Sequence, residues 1–249
     1  PYTYTLVDEL GTLTAPVQSV ASEITFDLPA MSAAILLPTT VDNLGVPGWR
    51  PTVAVNAGNG TVEVDLYPFQ NPGESYAVYR SYFTSGGYEL LGITANGVYT
   101  DTAVTNGMTY YYTTRTIDAN GNYSEYAPEL PGTPSYPIGW AGNLTPASIN
   151  TALTATPSGP ISAEVYVDGV TTADGNQDEI QAQIGYAASG ATLEYFVWED
   201  IAYTGRVGNN YVYAGTIRPE FVGIYDYWIR FSTSNGVAWQ YALTGIGMR

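Results

Sequence analysis

The chain has 249 residues, 45% of them hydrophobic and 12% charged, with seven basic against twenty-three acidic side chains and a net charge of −16. Apolar material is too plentiful for a disordered chain, and the absence of any Lys/Arg run excludes nucleic acid and anionic membrane surfaces as partners. The sequence holds no His and no Cys, which excludes Ser-His-Asp and Cys-His nucleophiles, His- or thiolate-bound zinc, and disulfides.

Twenty-three Tyr, with abundant Thr, Val and Gly, suit pleated, half-buried surfaces better than helices, so the chain is expected to be all-β. Its length predicts two domains, or three if they are small sandwiches. It opens on Pro1 with neither an export signal nor an 18-residue apolar span, so it is expected to be a processed or excised piece with any signal upstream.

Two Pro/Gly-rich stretches, 38–51 and 128–137, break ladder hydrogen bonding and separate three blocks. The first, residues 1–40, holds strand-like runs at 2–10, 22–28 and 32–37. That is too little chain for its own core, so the block is expected to be a partial β-sandwich remnant. It would lean on the second block or on sequence upstream.

The second block, residues 48–134, predicts short strands at 61–66, 76–81, 88–94, 98–101 and 110–117, the spacing of a sandwich. Asn59-Gly60, Gly86-Gly87, Asn96-Gly97, Asn106-Gly107 and Asn120-Gly121 supply residues tolerant of positive φ at the reversals. In the last strand Tyr110, Tyr112 and Thr114 share one face, and Tyr111, Thr113 and Arg115 the other. The runs Tyr76-Ala77-Val78-Tyr79-Arg80-Ser81, Val98-Tyr99-Thr100-Asp101, Asn106-Gly107 through Tyr110, and Asp118-Ala119-Asn120-Gly121-Asn122-Tyr123-Ser124 resemble a fibronectin type III domain of bacterial extracellular hydrolases. The resemblance puts Tyr110 at the family's tyrosine corner. Leu66 stands where many members carry a core Trp.

The third block, residues 135–249, predicts strands at 163–167, 179–186, 193–198, 211–216, 225–232 and 238–243, and hence a second full sandwich. Gly139-Trp140-Ala141-Gly142-Asn143-Leu144, Asp168-Gly169-Val170-Thr171, Gly208-Asn209-Asn210 and Gly223-Ile224-Tyr225-Asp226-Tyr227 through Ser232 resemble a module that recurs in bacterial amylopullulanases and some secreted nucleases. Val7-Asp8-Glu9-Leu10 and the run Leu28 to Leu36 in the first block are similar to the end of the β-sandwich behind the catalytic barrel of α-amylase-type glycoside hydrolases. The order of the three blocks is that of an accessory region of such an enzyme. The resemblance implies that the catalytic carboxylates belong to an upstream catalytic domain of the same chain.

No catalytic constellation is read in the chain itself. Glu199-Asp200, Asp178-Glu179 and Asp8-Glu9 are adjacent pairs, and neighbours in a strand point to opposite faces, whereas a glycosidase needs two carboxyl groups across one bond. Asp174, Asn176 and Asp178 alternate as the opening of a calcium loop does. Glu179 replaces the turn glycine and Gly185 the closing Glu, so a plain turn fits better and the three are no more than calcium candidates. No cofactor is expected.

Sugar binding needs exposed aromatic faces beside hydrogen-bonding groups. In 225–231 Tyr225, Tyr227, Ile229 and Phe231 form an apolar face, which leaves Trp228 beside Asp226 and Arg230 on the other. Trp198 is expected outward with Glu194, Phe196 and Asp200, opposite Leu193, Tyr195 and Val197. Trp198, Trp228, Asp226 and Arg230 are therefore the candidate carbohydrate-binding residues. The other reading of both Trp is packing under loops or against a neighbouring domain. Trp239, in phase with Val237 and Tyr241, is expected in the core, while Trp49 and Trp140 sit beside the linkers and are candidates for stapling domains together.

These readings describe a non-catalytic accessory segment of a secreted or cell-surface α-glucan-degrading enzyme. It would space, stabilise or dock the catalytic part, with an α-glucan polysaccharide as a possible partner. A cell-surface adhesion or spacer array of sandwiches is the alternative, which upstream sequence would distinguish.

Overall fold

Two-residue alternation of apolar and polar side chains dominates the computed structural model, which describes residues 3–8, 13–18, 34–38, 52–67, 74–149 and 156–242. Eighteen strands are formed there, joined by turns and by two single 3₁₀ turns, Gln177–Glu179 and Leu193–Tyr195. Among the described residues no helix is long and apolar enough to cross a membrane. The chain divides into two compact units: Pro1–Val55, Val64–Tyr99 and Tyr110–Pro131 form one, and Asn56–Glu63, Thr100–Thr109 and Gly132–Arg249 the other.

At the start of the chain β1 (Thr3–Asp8) pairs antiparallel with β2 (Leu13–Gln18) and β3 (Ala34–Pro38), in the order β2-β1-β3. β2 was not among the expected strands, and it contains Pro16. The strand tolerates Pro16, opposite Thr5, because it lies at the edge of its sheet, where a missing N–H costs no ladder bond. The strand expected at 22–28, most of the 38–51 linker, and Trp49 lie outside the described residues.

The next seven strands are β4 (Thr52–Ala57), β5 (Val62–Tyr67), β6 (Ser75–Ser81), β7 (Glu89–Thr94), β8 (Val98–Asp101), β9 (Tyr110–Ile117) and β10 (Leu130–Gly132). They make a three-stranded sheet, β4-β5-β8, and a four-stranded sheet, β10-β9-β6-β7. Val62, Val64 and Leu66 are fully buried along β5, as are Tyr76 and Val78 on β6 and Tyr112 on β9. Leu66 thus fills a core position. Tyr110 is buried at the start of β9, with the Arg80 guanidinium 5.1 Å from its ring centre. After β9, Asp118 accepts hydrogen bonds from the backbone N–H groups of Asn120 and Asn122, each 2.8 Å. Asp118, Asn120 and Asn122 therefore build an Asx turn, in which the short acceptor replaces a backbone carbonyl.

The second unit contains β11 (Ile138–Thr145), β12 (Ile161–Val167), β13 (Gln181–Ala188), β14 (Val197–Asp200), β15 (Ala202–Val207), β16 (Asn210–Gly215), β17 (Tyr225–Ser232) and β18 (Gln240–Tyr241). These form two four-stranded sheets, β11-β12-β16-β15 and β14-β13-β17-β18. One core lies between them. Ile161, Ala163, Val165 and Val167 of β12 point into it, with Tyr211 and Tyr213 of β16, Ala182 and Ile184 of β13, and Ile229 and Phe231 of β17. The ten side chains come from four strands, each contributing alternate positions, as inward faces of a sandwich must.

Three expectations change here. The 3₁₀ turn at Gln177–Glu179 replaces the first residues of a strand expected at 179–186, because Glu179 and Ile180 donate to the carbonyls of Asn176 and Gln177. A second 3₁₀ turn at Leu193–Tyr195 breaks the two-residue period ahead of β14. Leu193, Tyr195 and Val197 are consequently 46%, 69% and 55% exposed, and Phe196 is buried instead. Trp239 is half-buried outside the core, because 233–239 is a turn in which strand phase does not propagate and Val237 is exposed.

Candidate functional site

Cross-strand register decides which side chains share a surface, because residues directly opposite one another point to the same side. Gly185 of β13 stands opposite Trp198 of β14 and opposite Trp228 of β17. Gln183 stands opposite Asp200 and Arg230, and Arg230 opposite Tyr241 of β18. Ala187 faces Asp226 in the same way. The outer face of β14-β13-β17-β18 therefore gathers Trp198, Trp228, Asp226 and Arg230, while Ile184 and Ile229 fill the core beneath.

Within that face the aromatic groups are tied together. The Arg230 guanidinium carbon lies 3.9 Å from the Trp198 ring centre and 4.1 Å from that of Trp239, so the cation sits against both indoles. Its Nε and Nη2 donate to Gln183 Oε1 at 3.0 and 2.6 Å. Gln183 Nε2 in turn donates to Asp200 Oδ1 at 2.9 Å, where Gln181 Nε2 also donates at 3.3 Å. Trp198 stacks on Phe196 with ring centres 5.5 Å apart, and Tyr241 meets Trp198 and Trp228 at 5.9 and 6.5 Å. Trp198 lies against Gly185, where an added Cβ would come within 2.4 Å of the ring. Trp198, Trp228 and Trp239 all remain half-buried. Asp226 is engaged elsewhere: its carboxylate accepts from Ser189 Oγ at 3.1 Å and Gly190 N–H at 2.9 Å.

Two of the three calcium candidates have other partners. Asp174 pairs with Arg206 at 3.2 Å, Asn176 Nδ2 donates to the Val170 carbonyl at 3.3 Å, and Asp178 lies in the 3₁₀ turn. Among the described residues no three carboxylates converge where they could hold a metal ion. Of the adjacent carboxylate pairs, Glu199 and Asp200 stand opposite Ile184 and Gln183 and so point to opposite faces. Asp178 and Glu179 belong to a 3₁₀ turn rather than a strand, and Glu9 lies outside the described residues.

Sequence reasoning missed a second surface, on the outer side of β11-β12-β16-β15. Trp140 stands opposite Tyr166, and Gly142 opposite Glu164, while Glu164 also faces Val212 of β16. Trp140 is 38% exposed and its ring folds over Gly142, where an added Cβ would meet it at 2.4 Å. Asn143 Nδ2 donates to Glu164 Oε1 at 3.0 Å, and Asn210 Nδ2 to Oε2 at 2.8 Å. An open cleft of about 610 Å³ runs over Asn143, Thr145, Ser162, Glu164, Val207 and Val212. The signal available in the sequence was Gly-Trp-Ala-Gly itself, a glycine two residues from a tryptophan in an alternating strand.

No family model matches the chain. Across 87% of its length the chain is 34% identical to an amylopullulanase of Thermoanaerobacterium thermosulfurigenes, and across 94% it is 33% identical to an amylopullulanase of Thermoanaerobacter thermohydrosulfuricus. The chain is a relative of one part of the amylopullulanases. It spans 13% and 17% of the length of those two proteins. Because the amylopullulanase matches run along most of the chain, they bear out the resemblance to amylopullulanases read from the residues. Among solved structures, a Fn3-like protein from Clostridium thermocellum is 26% identical to this amylopullulanase relative over 34% of the chain and 94% of its own, with a TM-score of 0.29.

Proposed function

We propose that the chain is a non-catalytic accessory segment of a secreted, α-glucan-degrading glycoside hydrolase of the α-amylase family. The observation that carries this reading is the 34% identity to amylopullulanases along 87% of the chain, joined to an all-β architecture without a single His. The organisation that goes with it is a sandwich remnant at 1–40, a fibronectin type III-like domain at 48–134 and an accessory sandwich at 135–249. The catalytic carboxylates then lie in an upstream domain of the same chain, and the segment spaces, stabilises or docks that domain on its substrate.

For docking on starch or pullulan, the outer face of β14-β13-β17-β18 is the surface. Trp198 and Trp228 flank Gly185 two strands apart, a backbone separation of about 10 Å. Partly exposed indoles offer the flat apolar surface on which pyranose C–H groups pack. Arg230 holds Trp198 and Trp239, so less rotamer freedom is lost on binding than from free rings. Asp226 fixes the 189–190 turn beside Trp228. Retardation in native gels containing starch or pullulan tests the proposal. Binding that is lost in Trp198→Ala or Trp228→Ala supports docking, and free migration of the parent chain leaves spacing and stabilisation as its role.

A further inference from the structure

The outer side of β11-β12-β16-β15 pairs a flat apolar ring with fixed hydrogen-bond acceptors. Register puts Trp140, Tyr166 and Glu164 on one surface, and the close approach of the Trp140 ring to Gly142 keeps it lying along the strand. Asn143 reaches Glu164 from a left-handed backbone conformation, φ 54°, at the β-bulge of β11. Such a conformation is uncommon outside glycine and suits Asn. Each Glu164 oxygen takes one amide donor, from Asn143 or Asn210. A carboxylate has about four acceptor positions, so roughly two stay available and are already oriented. An open groove continues from Glu164 over Asn143, Thr145 and Ser162.

The chemistry of the ligand follows from what this surface offers. It has carboxylate acceptors, and the chain carries a net charge of −16, so an anionic ligand is repelled. Its carboxylates are Glu164 and, hydrogen-bonded to Tyr166, Asp168, and among the described residues no three carboxylates gather as a metal site would need. An exposed indole beside a carboxylate that accepts O–H groups suits a neutral polyhydroxyl ring, with a C–H face for the indole and hydroxyls for the carboxylate.

We propose that this surface is a second saccharide-binding site, in which Trp140 stacks on a neutral pyranose and Glu164, held by Asn143 and Asn210, accepts its hydroxyls. The identity of the sugar as an α-glucan rests on the amylopullulanase reading; the site itself does not. The segment then engages polysaccharide on both outer sheets of one sandwich, so that two weak contacts reinforce each other through effective concentration.

The test uses the whole 249-residue chain, ¹⁵N-labelled, with the indole N–H signals of its five Trp followed during titration with maltoheptaose. Loss of one signal in Trp140→Phe identifies Trp140. The expected result is a saturable shift of the Trp140 signal that persists in Trp228→Ala and needs about tenfold more sugar in Glu164→Gln, the scale of a lost charge-assisted hydrogen bond. A shift with cellohexaose and none with maltoheptaose supports the site and overturns the α-glucan reading. Movement of the Trp228 signal alone supports the docking face and overturns this site. A Trp140 signal that maltoheptaose, cellohexaose and mannohexaose all leave in place also overturns it. An unchanged titration in Glu164→Gln overturns the role given to that carboxylate.

Discussion

The Arg230 guanidinium lies 3.9 Å from the centre of the Trp198 ring, with the Trp239 ring 4.1 Å away. This contact links β17 to β14 across the whole width of β13, and the turn before β18 to both. A planar cation suits it because guanidinium packs on indole while its edge N–H groups stay directed at Gln183. Each such contact contributes about 0.5–2 kcal/mol. The cluster therefore sets the shape of an outer sheet face that the core beneath does not control.

Arg230→Lys is the sharpest probe of that link. A lysine keeps the charge and loses both the planar stack and the paired donation to Gln183. Loss of about 1–2 kcal/mol is expected from the cation–π contribution, together with a red shift of tryptophan emission as Trp198 and Trp239 gain solvent. Urea unfolding followed by fluorescence reads both; an unchanged midpoint and spectrum would remove Arg230 as the organiser of the face.

Gly185→Ala attacks the same cluster from below. The new methyl would sit 2.4 Å from the Trp198 ring, and the neighbours of Gly185 in β13, Ile184 and Tyr186, face the opposite side and cannot relieve it. Overpacking of this kind costs about 1–3 kcal/mol. Lower thermal stability is expected in Gly185→Ala, and little further loss when Arg230→Lys is added, because displaced Trp198 has already left the guanidinium. Simple additivity of the two losses would contradict a shared contact.

How much of this could be read beforehand depends on the element. The strand β12 alternates without interruption, Ile161, Ala163, Val165 and Val167 inward against Ser162, Glu164 and Tyr166, and β5 to β9 begin and end within about a residue of their expected positions. β4 and β10 also escaped, β4 without any glycine or proline, whereas in β2, β11 and β15 a glycine or proline has a packing or positional reason invisible in one dimension. Gly139 and Gly142 in β11 lie against Tyr166 and Trp140, Gly205 in β15 sits at a register shift with φ 153°, and Pro16 is tolerated on an edge. The face of Trp228 was legible because Ile229 and Phe231 alternate around it. The stacking of Trp239 and the pairing of Trp140 with the Glu164 strand were not, since turns carry no phase and register is a property of two strands.

Thr114 and Thr116 on β9 offer a stabilising change. Both side chains are buried, and their hydroxyl oxygens have no hydrogen-bond partner among the described residues, whereas the hydroxyl of the neighbouring Thr113 donates to the Ala127 carbonyl at 2.8 Å. A buried unpaired hydroxyl costs about 1–3 kcal/mol. Thr114→Val and Thr116→Val preserve β-branched shape and remove that penalty, so each is expected to raise the urea midpoint by an amount worth about 1 kcal/mol, while Thr113→Val lowers it. A fall in all three would show that the hydroxyls of Thr114 and Thr116 are satisfied in solution.

Alkaline pH should weaken the first unit through Tyr88. Partial burial, followed by the hydrogen bond its hydroxyl donates to Glu129 Oε2 at 2.5 Å and the charge of that carboxylate, pushes the Tyr88 phenol up to about 12. An unfolded tyrosine ionises near the ordinary value of about 10. Below that value both states are neutral and the stabilisation is fully present. Between about 10 and about 12 the unfolded chain loses its proton first, so stability falls with rising pH until the folded phenol ionises as well. Urea unfolding between pH 8 and 12 is expected to show that decline, shallower in Tyr88→Phe, which has no proton to lose, and in Glu129→Gln, which loses the repelling carboxylate. Tyr79 in the first unit and Tyr213 in the second are raised as well, each chiefly by burial, so a residual decline in Tyr88→Phe is expected from them, and identical slopes in parent and variant would assign the whole effect to tyrosines other than Tyr88.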